Sequence, residues 1–342
     1  MNGAADTPPA DDIPCEAGGG PPPLRAVKAL RYRLEARGLR LLTWLVPKLP
    51  RPVMLKLADV LGAVLFVALR HDRRVAMANL DIAFGDTRTP ADKKRIARAG
   101  MRNLCRAVVG LFWAPRLTPQ LADQLVEIEP DGERMIRDIL AAGRGVIFCT
   151  PHYGDWELSA LAVGFKGIKM LVVGESTPNA AVADTIFRLR TLSGHRAIPP
   201  QYAVLKLLRG LRRGESTAIL VDVNGRRGRG GVWCEFFGLP VFNSTTVAEL
   251  ALRTNAAIVI GICRPLPGPG GRVRLEYGAE IPAVDTGDRA ADHQRITNAI
   301  TKAVEDLVRS DPEHWLWTYK RWKRRPTPDQ GRFPWYSKYA EV

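Results

Sequence analysis

Cysteine is scarce in this chain of 342 residues. The five present, Cys15, Cys105, Cys149, Cys234 and Cys263, are odd in number and widely scattered, with no CxxC pair and no metal-ligand spacing. A disulfide framework and a structural zinc site are thereby excluded, and reduced thiols in a cytosolic setting are expected. Clean apolar runs are also lacking. The best, Val53 to Leu69, is interrupted by Lys56 and Asp59 and falls short of the ~20 residues that cross a bilayer. Residues 1–23 hold Gly18-Gly-Gly-Pro-Pro-Pro23 but no apolar core behind a basic start, so they read as a disordered tail rather than a signal peptide. No GxxxxGK[ST] loop and no nucleic-acid-binding motif occurs. Acid is in deficit: 50 Lys and Arg face 35 Asp and Glu, a net charge of +15. An anionic partner follows, whether a membrane surface, an acidic protein or ligand, or nucleic acid.

Residues 24–120 read as an N-terminal helical region. Basic residues from Arg25 to Arg40 precede Leu41-Leu-Thr-Trp-Leu-Val46, a Pro-Lys-Leu-Pro break and the 53–69 stretch. This is the pattern of a basic, Trp-containing amphipathic helix lying in a membrane interface. A pair of ordinary core helices is the plainer alternative.

From residue 144 short apolar runs alternate with helical periodicity, which predicts an α/β fold with a mixed central sheet flanked by helices. Strands are expected at 146–150, 168–173, 216–222, 256–263 and 273–277. Helices are expected at 156–165, 180–192, 203–212, 246–254 and 288–309. Open α/β sheets bind ligands at strand ends, and three polar residues stand there: His152, Asp222 and Arg264. His152 is followed five residues on by Glu157, and a His held in one tautomer by a carboxylate is a general base at neutral pH. Cys149 reads as a small apolar strand residue rather than a nucleophile. The loop Asn224-Gly-Arg-Arg-Gly-Arg-Gly-Gly231 reads equally as a phosphate-holding turn or an exposed basic one. Arg188 and Arg190 suit the phosphates of an anionic lipid or carrier protein, or a solvated helix face. Tyr319 to Arg325 interleaves aromatic and basic residues, as a headgroup contact would, or as a basic strand whose tryptophans pack inward.

These residues together resemble the bacterial lipid A biosynthesis acyltransferases, the late lauroyl/myristoyl group of the glycerolipid acyltransferase-like superfamily. Five segments carry the likeness in order: Arg73 to Phe84, His152-Tyr-Gly-Asp-Trp-Glu157, Gly231 to Gly238 ending in Phe-Phe-Gly, Ala248 to Arg264, and His314-Trp-Leu-Trp-Thr-Tyr-Lys-Arg-Trp-Lys323. The resemblance implies an acyltransferase domain over 121–326, with 327–342 as a tail. It implies transfer of a fatty acyl chain from acyl carrier protein or acyl-CoA to a hydroxyl of a lipid A precursor, an anionic glycolipid. His152 would be the base and Glu157 its orienting carboxylate, with neither metal nor organic cofactor. The place implied is the cytoplasmic face of the inner membrane, held peripherally or by one N-terminal anchor. Asp222, Arg188, Arg190 and Arg264 are the candidate substrate-binding residues.

The chain also departs from that pattern. Val221-Asp-Val-Asn224 stands for Pro-Asp-Gln-Asp, Val172 to Pro178 lacks an arginine, and Cys234-Glu235 replaces Val-Pro. These changes keep open another acceptor, such as a phosphatidylinositol mannoside or an aminolipid. A catalytically inactive membrane scaffold is a third reading.

Overall fold

The computed structural model describes residues 22–174, 179–199, 202–226, 228, 230–268 and 270–340. The expected tail lies outside them except for Pro22 and Pro23, as do residues 175–178, Arg227 and Arg229. Four helices come first: α1 (Pro22–Leu45), α2 (Arg51–Ala68), α3 (Arg70–Phe84) and α4 (Pro90–Trp113). After α5 (Pro119–Leu125) the chain enters the sheet with β1 (Val126–Ile128), α6 (Pro130–Ala141), β2 (Val146–Thr150) and α7 (Trp156–Phe165). Then follow β3 (Met170–Val173), α8 (Ala180–Arg190), β4 (Arg196–Ile198), α9 (Ala203–Leu211) and β5 (Ser216–Leu220). The hairpin β6 (Gly231–Phe236) and β7 (Leu239–Ser244) stands apart from the sheet, and α10 (Thr246–Thr254), β8 (Ala257–Pro265), β9 (Val273–Ile281) and α11 (Arg289–Ser310) complete the chain's main elements.

The sheet runs β1-β9-β8-β2-β5-β3-β4. Strands β8, β2, β5, β3 and β4 are mutually parallel, and β9 pairs antiparallel with β8 and parallel with β1, so the sheet is mixed as expected. Alternate residues of β2 enter different cores. Ile147 and Cys149 pack with α2–α4, α9–α11 and the β6–β7 hairpin, while Val146 and Phe148 pack with α5–α8. A strand covered on both faces has no polar positions, which is why its sequence is an unbroken apolar run.

The first four helices have no core of their own. Phe66, Ala76, Leu80, Ile96 and Met101 share one cluster with Ile147, Phe236 and Trp315. Helix α2 buries Met54, Ala58, Gly62 and Phe66, one residue per turn, and leaves Val53, Leu57, Val60, Val64 and Val67 exposed. No single helix among the described residues is long and apolar enough to cross a membrane; the pair Arg51–Ala68 and Arg70–Thr87 passes the length and composition test only together, with an 89° bend between them.

Helices α2 and α4 meet backbone to backbone at Gly62, where an added Cβ would stand 2.6 Å from the Arg102 Cα. At Gly38, on exposed α1, nothing lies within 4 Å of the same atom. The two glycines therefore respond oppositely to one substitution. Gly38→Ala gains helix propensity and is expected to raise stability by about 0.5–1 kcal/mol. Gly62→Ala forces the helices apart and is expected to lose about 1–3 kcal/mol. Urea unfolding midpoints of the two variants check this; shifts of the same sign would contradict the α2–α4 approach.

Candidate active site

Register brings the two central residues together. Thr150 of β2 pairs with Leu220 of β5, and His152 and Asp222 stand two residues beyond these two strand ends. The Asp222 carboxylate accepts three hydrogen bonds: the His152 backbone N–H at 2.8 Å, His152 Nδ1 at 2.8 Å and Trp315 Nε1 at 2.9 Å. It is 3% exposed. Burial alone would raise its pKa, but the charge and hydrogen bonds of His152, with the Trp315 bond, outweigh burial and hold it below the usual carboxylate range. An ionised carboxylate only accepts, so Nδ1 carries a proton, and in the neutral ring Nε2 presents its lone pair. Nε2 has no hydrogen-bond partner among the described residues.

Burial works against the imidazolium of His152, yet the Asp222 charge and hydrogen bond, reinforced by Glu157, raise its pKa overall; Arg190 opposes them. His152 therefore contributes stability below the ordinary imidazole pKa of ~6.5, lost as pH rises through its folded value. Asp222 contributes stability above ~3.9, lost as pH falls through its own folded value.

Glu157, expected to orient His152, does not occupy Nδ1; Asp222 does. Glu157 lies in the first turn of α7 and is 7% exposed. Arg190 of α8 grips it, with Nη2 2.5 Å from Oε1 and Nε 3.0 Å from Oε2, and Trp156 Nε1 donates to Oε1 at 3.2 Å. It reaches His152 through its charge. Arg190 thus stands at the site, whereas Arg188, two positions before it, turns to solvent and pairs with Asp184 at 3.4 Å. Residues two apart on a helix do not share a face. Arg264, next to last in β8, lies beside Tyr153 of the His152 loop, but two carboxylates hold it: Asp311 at 2.8 Å and Glu276 at 3.2 Å, with the Tyr153 hydroxyl 3.3 Å away.

The His152 loop is braced on all sides. Gly154 takes φ +59°, and a Cβ there would fall 1.6 Å from the Cys263 carbonyl oxygen, so only glycine fits. Its N–H donates to the His314 carbonyl at 3.0 Å, and Asn103 Nδ2 donates to the carbonyls of both Gly154 and His314. Asp155 caps α7 through the Leu158 N–H and faces Arg51 at 3.9 Å; burial pushes its pKa up to about 6 against the pull of Arg51. Cys149 is fully buried and its thiol is pushed far up, in keeping with a strand residue and not a nucleophile.

Of the two readings of 319–325, the inward-packing one describes Trp322, although Trp335 further on is exposed. Trp315, Trp317 and Trp322 are buried, as is Arg321. Phe236 packs against Trp315 and Trp322, each at 5.7 Å between ring centroids. Asn224 is pinned to the same segment: its N–H donates to the Tyr319 hydroxyl at 3.0 Å and its Nδ2 to the Lys320 carbonyl at 2.9 Å. Asn224 is therefore built into the C-terminal strap, while Arg227 and Arg229, on which the phosphate-loop reading rests, lie outside the described residues.

A narrow apolar cavity opens beside Trp156, on which the His152 ring packs. It holds ≈ 400 Å³ of unfilled space, its mouth included, between the sheet and α7. Thr150 and Trp156 line it at the His152 end, and Phe148, Val163, Met170 and Tyr277 line it deeper among strands and helix. The Trp156 ring meets the imidazole edge to face, 5.1 Å between centroids. No spacing in the sequence announced this cavity, because its walls come from five strands and one helix. Among the described residues no group of three or more His, Cys, Asp or Glu could hold a metal ion.

The family description that matches, over residues 24–324, is bacterial lipid A biosynthesis acyltransferase. The chain is 24% identical over 310 residues to the lipid A biosynthesis lauroyltransferase of Escherichia coli (strain K12), covering 89% of this chain and 95% of that one. It is 22% identical over 307 residues to the same organism's lipid A biosynthesis palmitoleoyltransferase, with the same coverage. It is 26% identical over 192 residues to the phosphatidylinositol mannoside acyltransferase of Mycobacterium tuberculosis (strain ATCC 25618 / H37Rv), 54% of this chain and 56% of that one.

The Asp222 clamp predicts a measurable titration. NMR of labelled histidine should show His152 titrating above ~6.5 in the wild type and lower in Asp222→Asn, where burial is no longer outweighed. An unmoved His152 pKa in that variant would remove Asp222 as the cause.

Proposed function

The chain belongs to the bacterial lipid A biosynthesis acyltransferase family, and on that premise we propose that it moves a fatty acyl chain from a thioester, on acyl carrier protein or coenzyme A, to a hydroxyl of a lipid A precursor. That it is an acyltransferase with a lipid substrate follows from the family. One observation carries the finer reading: His152, its Nδ1 clamped by Asp222, packs against Trp156, which with Thr150 lines the apolar cavity.

The acyl tail lies in the cavity with its carbonyl carbon near His152. Nε2 takes the proton of the acceptor hydroxyl as its oxygen attacks that carbon. The tetrahedral oxyanion collapses, the C–S bond breaks, and the thiolate leaves with the proton from the imidazolium. Asp222 fixes the tautomer and offsets the transient imidazolium charge. Glu157 and Arg190 form a second pair beside the base, and Arg190 supplies positive charge favouring the oxyanion. No covalent acyl-enzyme enters this sequence. The exposed apolar face of α2, with Leu41, Leu45 and Trp44 of α1, rests in the membrane interface on the cytoplasmic side of the inner membrane. A phosphatidylinositol mannoside is the second candidate acceptor, favoured by the likeness to that acyltransferase and by Val221-Asp-Val-Asn224.

Acyl transfer by detergent-solubilised protein tests the reading, with labelled acyl carrier protein or acyl-CoA and each acceptor in turn. His152→Ala is expected to lower kcat by about 10²–10⁴-fold, with activity of the wild type rising with pH as His152 loses its proton. Equal labelling by wild type and variant would remove His152 as the base. Labelling of the mannoside in preference to the lipid A precursor would move the acceptor.

A further inference from the structure

A second cleft lies away from His152, on the free edge of the sheet. β4, α9 and the turn after it border ≈ 560 Å³ of unfilled space, open solvent included, lined by Arg196, Ala197, Ile198, Lys206, Arg209 and Arg213. Lys206 and Arg209, three residues apart, share one face of α9, and Arg213 follows in the turn after it, while Leu207, Leu208 and Leu211 on the other face are buried. Glu215 is the acid at this edge, and it pairs with both Arg196 (2.6 Å) and Arg213 (3.0 Å). Lys206 and Arg209 have no acidic partner among the described residues. Four cations thus stand around one carboxylate.

Clustered like charges cost stability, and packing does not ask for them here, since the apolar face of α9 already secures the helix. The surface has a second part. Tyr202, Val204 and Leu205, at the start of α9, are 77%, 46% and 53% exposed. That start is the active-site end: Ile198 closes β4, and β4, β3, β5 and β2 are parallel, so all end where His152 and Asp222 stand. The edge is therefore apolar at the sheet end that carries His152 and cationic along the next ~10 Å.

We infer that the β4–α9 edge is the docking surface for an acidic carrier protein, which lays an anionic helical face along Lys206, Arg209 and Arg213 and sends its thioester-bearing arm over Tyr202 toward His152. This rests on the proposed transferase reading and deepens it by choosing the donor. The shape argues for a protein. The cations form a row on an open wall, which suits the extended anionic face of a protein rather than a single nucleotide. A membrane has its apolar contact elsewhere, on α1 and α2. Charge complementarity of this kind sets encounter rate and salt dependence.

The test uses the full-length protein with Lys206→Glu/Arg209→Glu, and Arg116→Glu/Arg134→Glu as a control of equal charge change. Three readouts are compared: binding of fluorescent acyl carrier protein, turnover of acyl-CoA, and co-sedimentation with phosphatidylglycerol vesicles. The α9 variant is expected to weaken carrier-protein binding on the order of tenfold or more and to flatten its salt dependence. Acyl-CoA turnover and vesicle binding should match those of the control. Carrier binding equal in both variants, or lost equally in both, overturns the inference. Loss of vesicle binding with carrier binding intact reassigns the edge to the membrane and overturns it too. If wild type turns over acyl-CoA but does not bind the carrier, the docking surface fails while the transferase stands. If the carrier binds at α9 but neither thioester is turned over, the transferase reading fails and the docking surface stands.

Discussion

A buried carboxylate, Asp222, is the constraint on which the site depends. An ionised group that is 3% exposed must have its oxygens satisfied or it will not stay ionised. Three donors do this, and they come from two distant parts of the chain: the β2 end and the C-terminal segment. The sheet register delivers the first. The second, Trp315, is delivered by a strap whose own anchors are the Asn79 amide, donating to the Trp317 and Tyr319 carbonyls at 2.7 and 2.8 Å, and the aromatic stack on Phe236. The motifs scattered along the sequence converge because each holds something that holds Asp222. Removing one donor would leave a partly unsatisfied charge in the interior, which costs more than the bond itself contributes.

The hairpin shows how the same requirement reaches a local turn. Phe237 and Gly238 both take positive φ, +52° and +72°, as a two-residue hairpin turn with matching twist demands. A phenylalanine is a costly residue for that conformation. It is held there because its N–H donates to Glu305 at 2.6 Å and its ring packs on Phe84 and Trp317. The strain is thus tied to the aromatic cluster behind Trp315.

Much of the sheet was legible. The bounds of β2, α7 and α10 match the periodicity reading residue for residue, because doubly covered strands and well-capped helices announce themselves. β1, β4, α6 and the β6–β7 hairpin were not read. β4 is three residues at an edge, two of them exposed, and the hairpin turn lacks the usual Asn-Gly signal. At the site the sequence led to His152, Asp222 and Arg190, but assigned Glu157 the place that Asp222 fills. Spacing along the chain registers a carboxylate five residues away. It is blind to one seventy residues away that parallel pairing sets alongside. The Arg264 ion pairs, the Asp155–Arg51 contact and the apolar cavity were hidden for the same reason.

The electrostatics of the pair bear on how His152 would work as the proposed base. A base is useful when it is both strong and unprotonated, and these demands conflict. Asp222 and Glu157 increase the proton affinity of His152, while burial and Arg190 reduce it. A lone Asp–His pair in the open would tip further toward the imidazolium; full burial without a carboxylate would leave a weak base. Arg190 also binds Glu157, so it cancels much of a second negative charge that would otherwise keep the imidazole protonated. On the proposed reading the Glu157–Arg190 pair is a counterweight to Asp222. It leaves enough neutral His152 for the acceptor hydroxyl, and puts its positive end where the oxyanion develops.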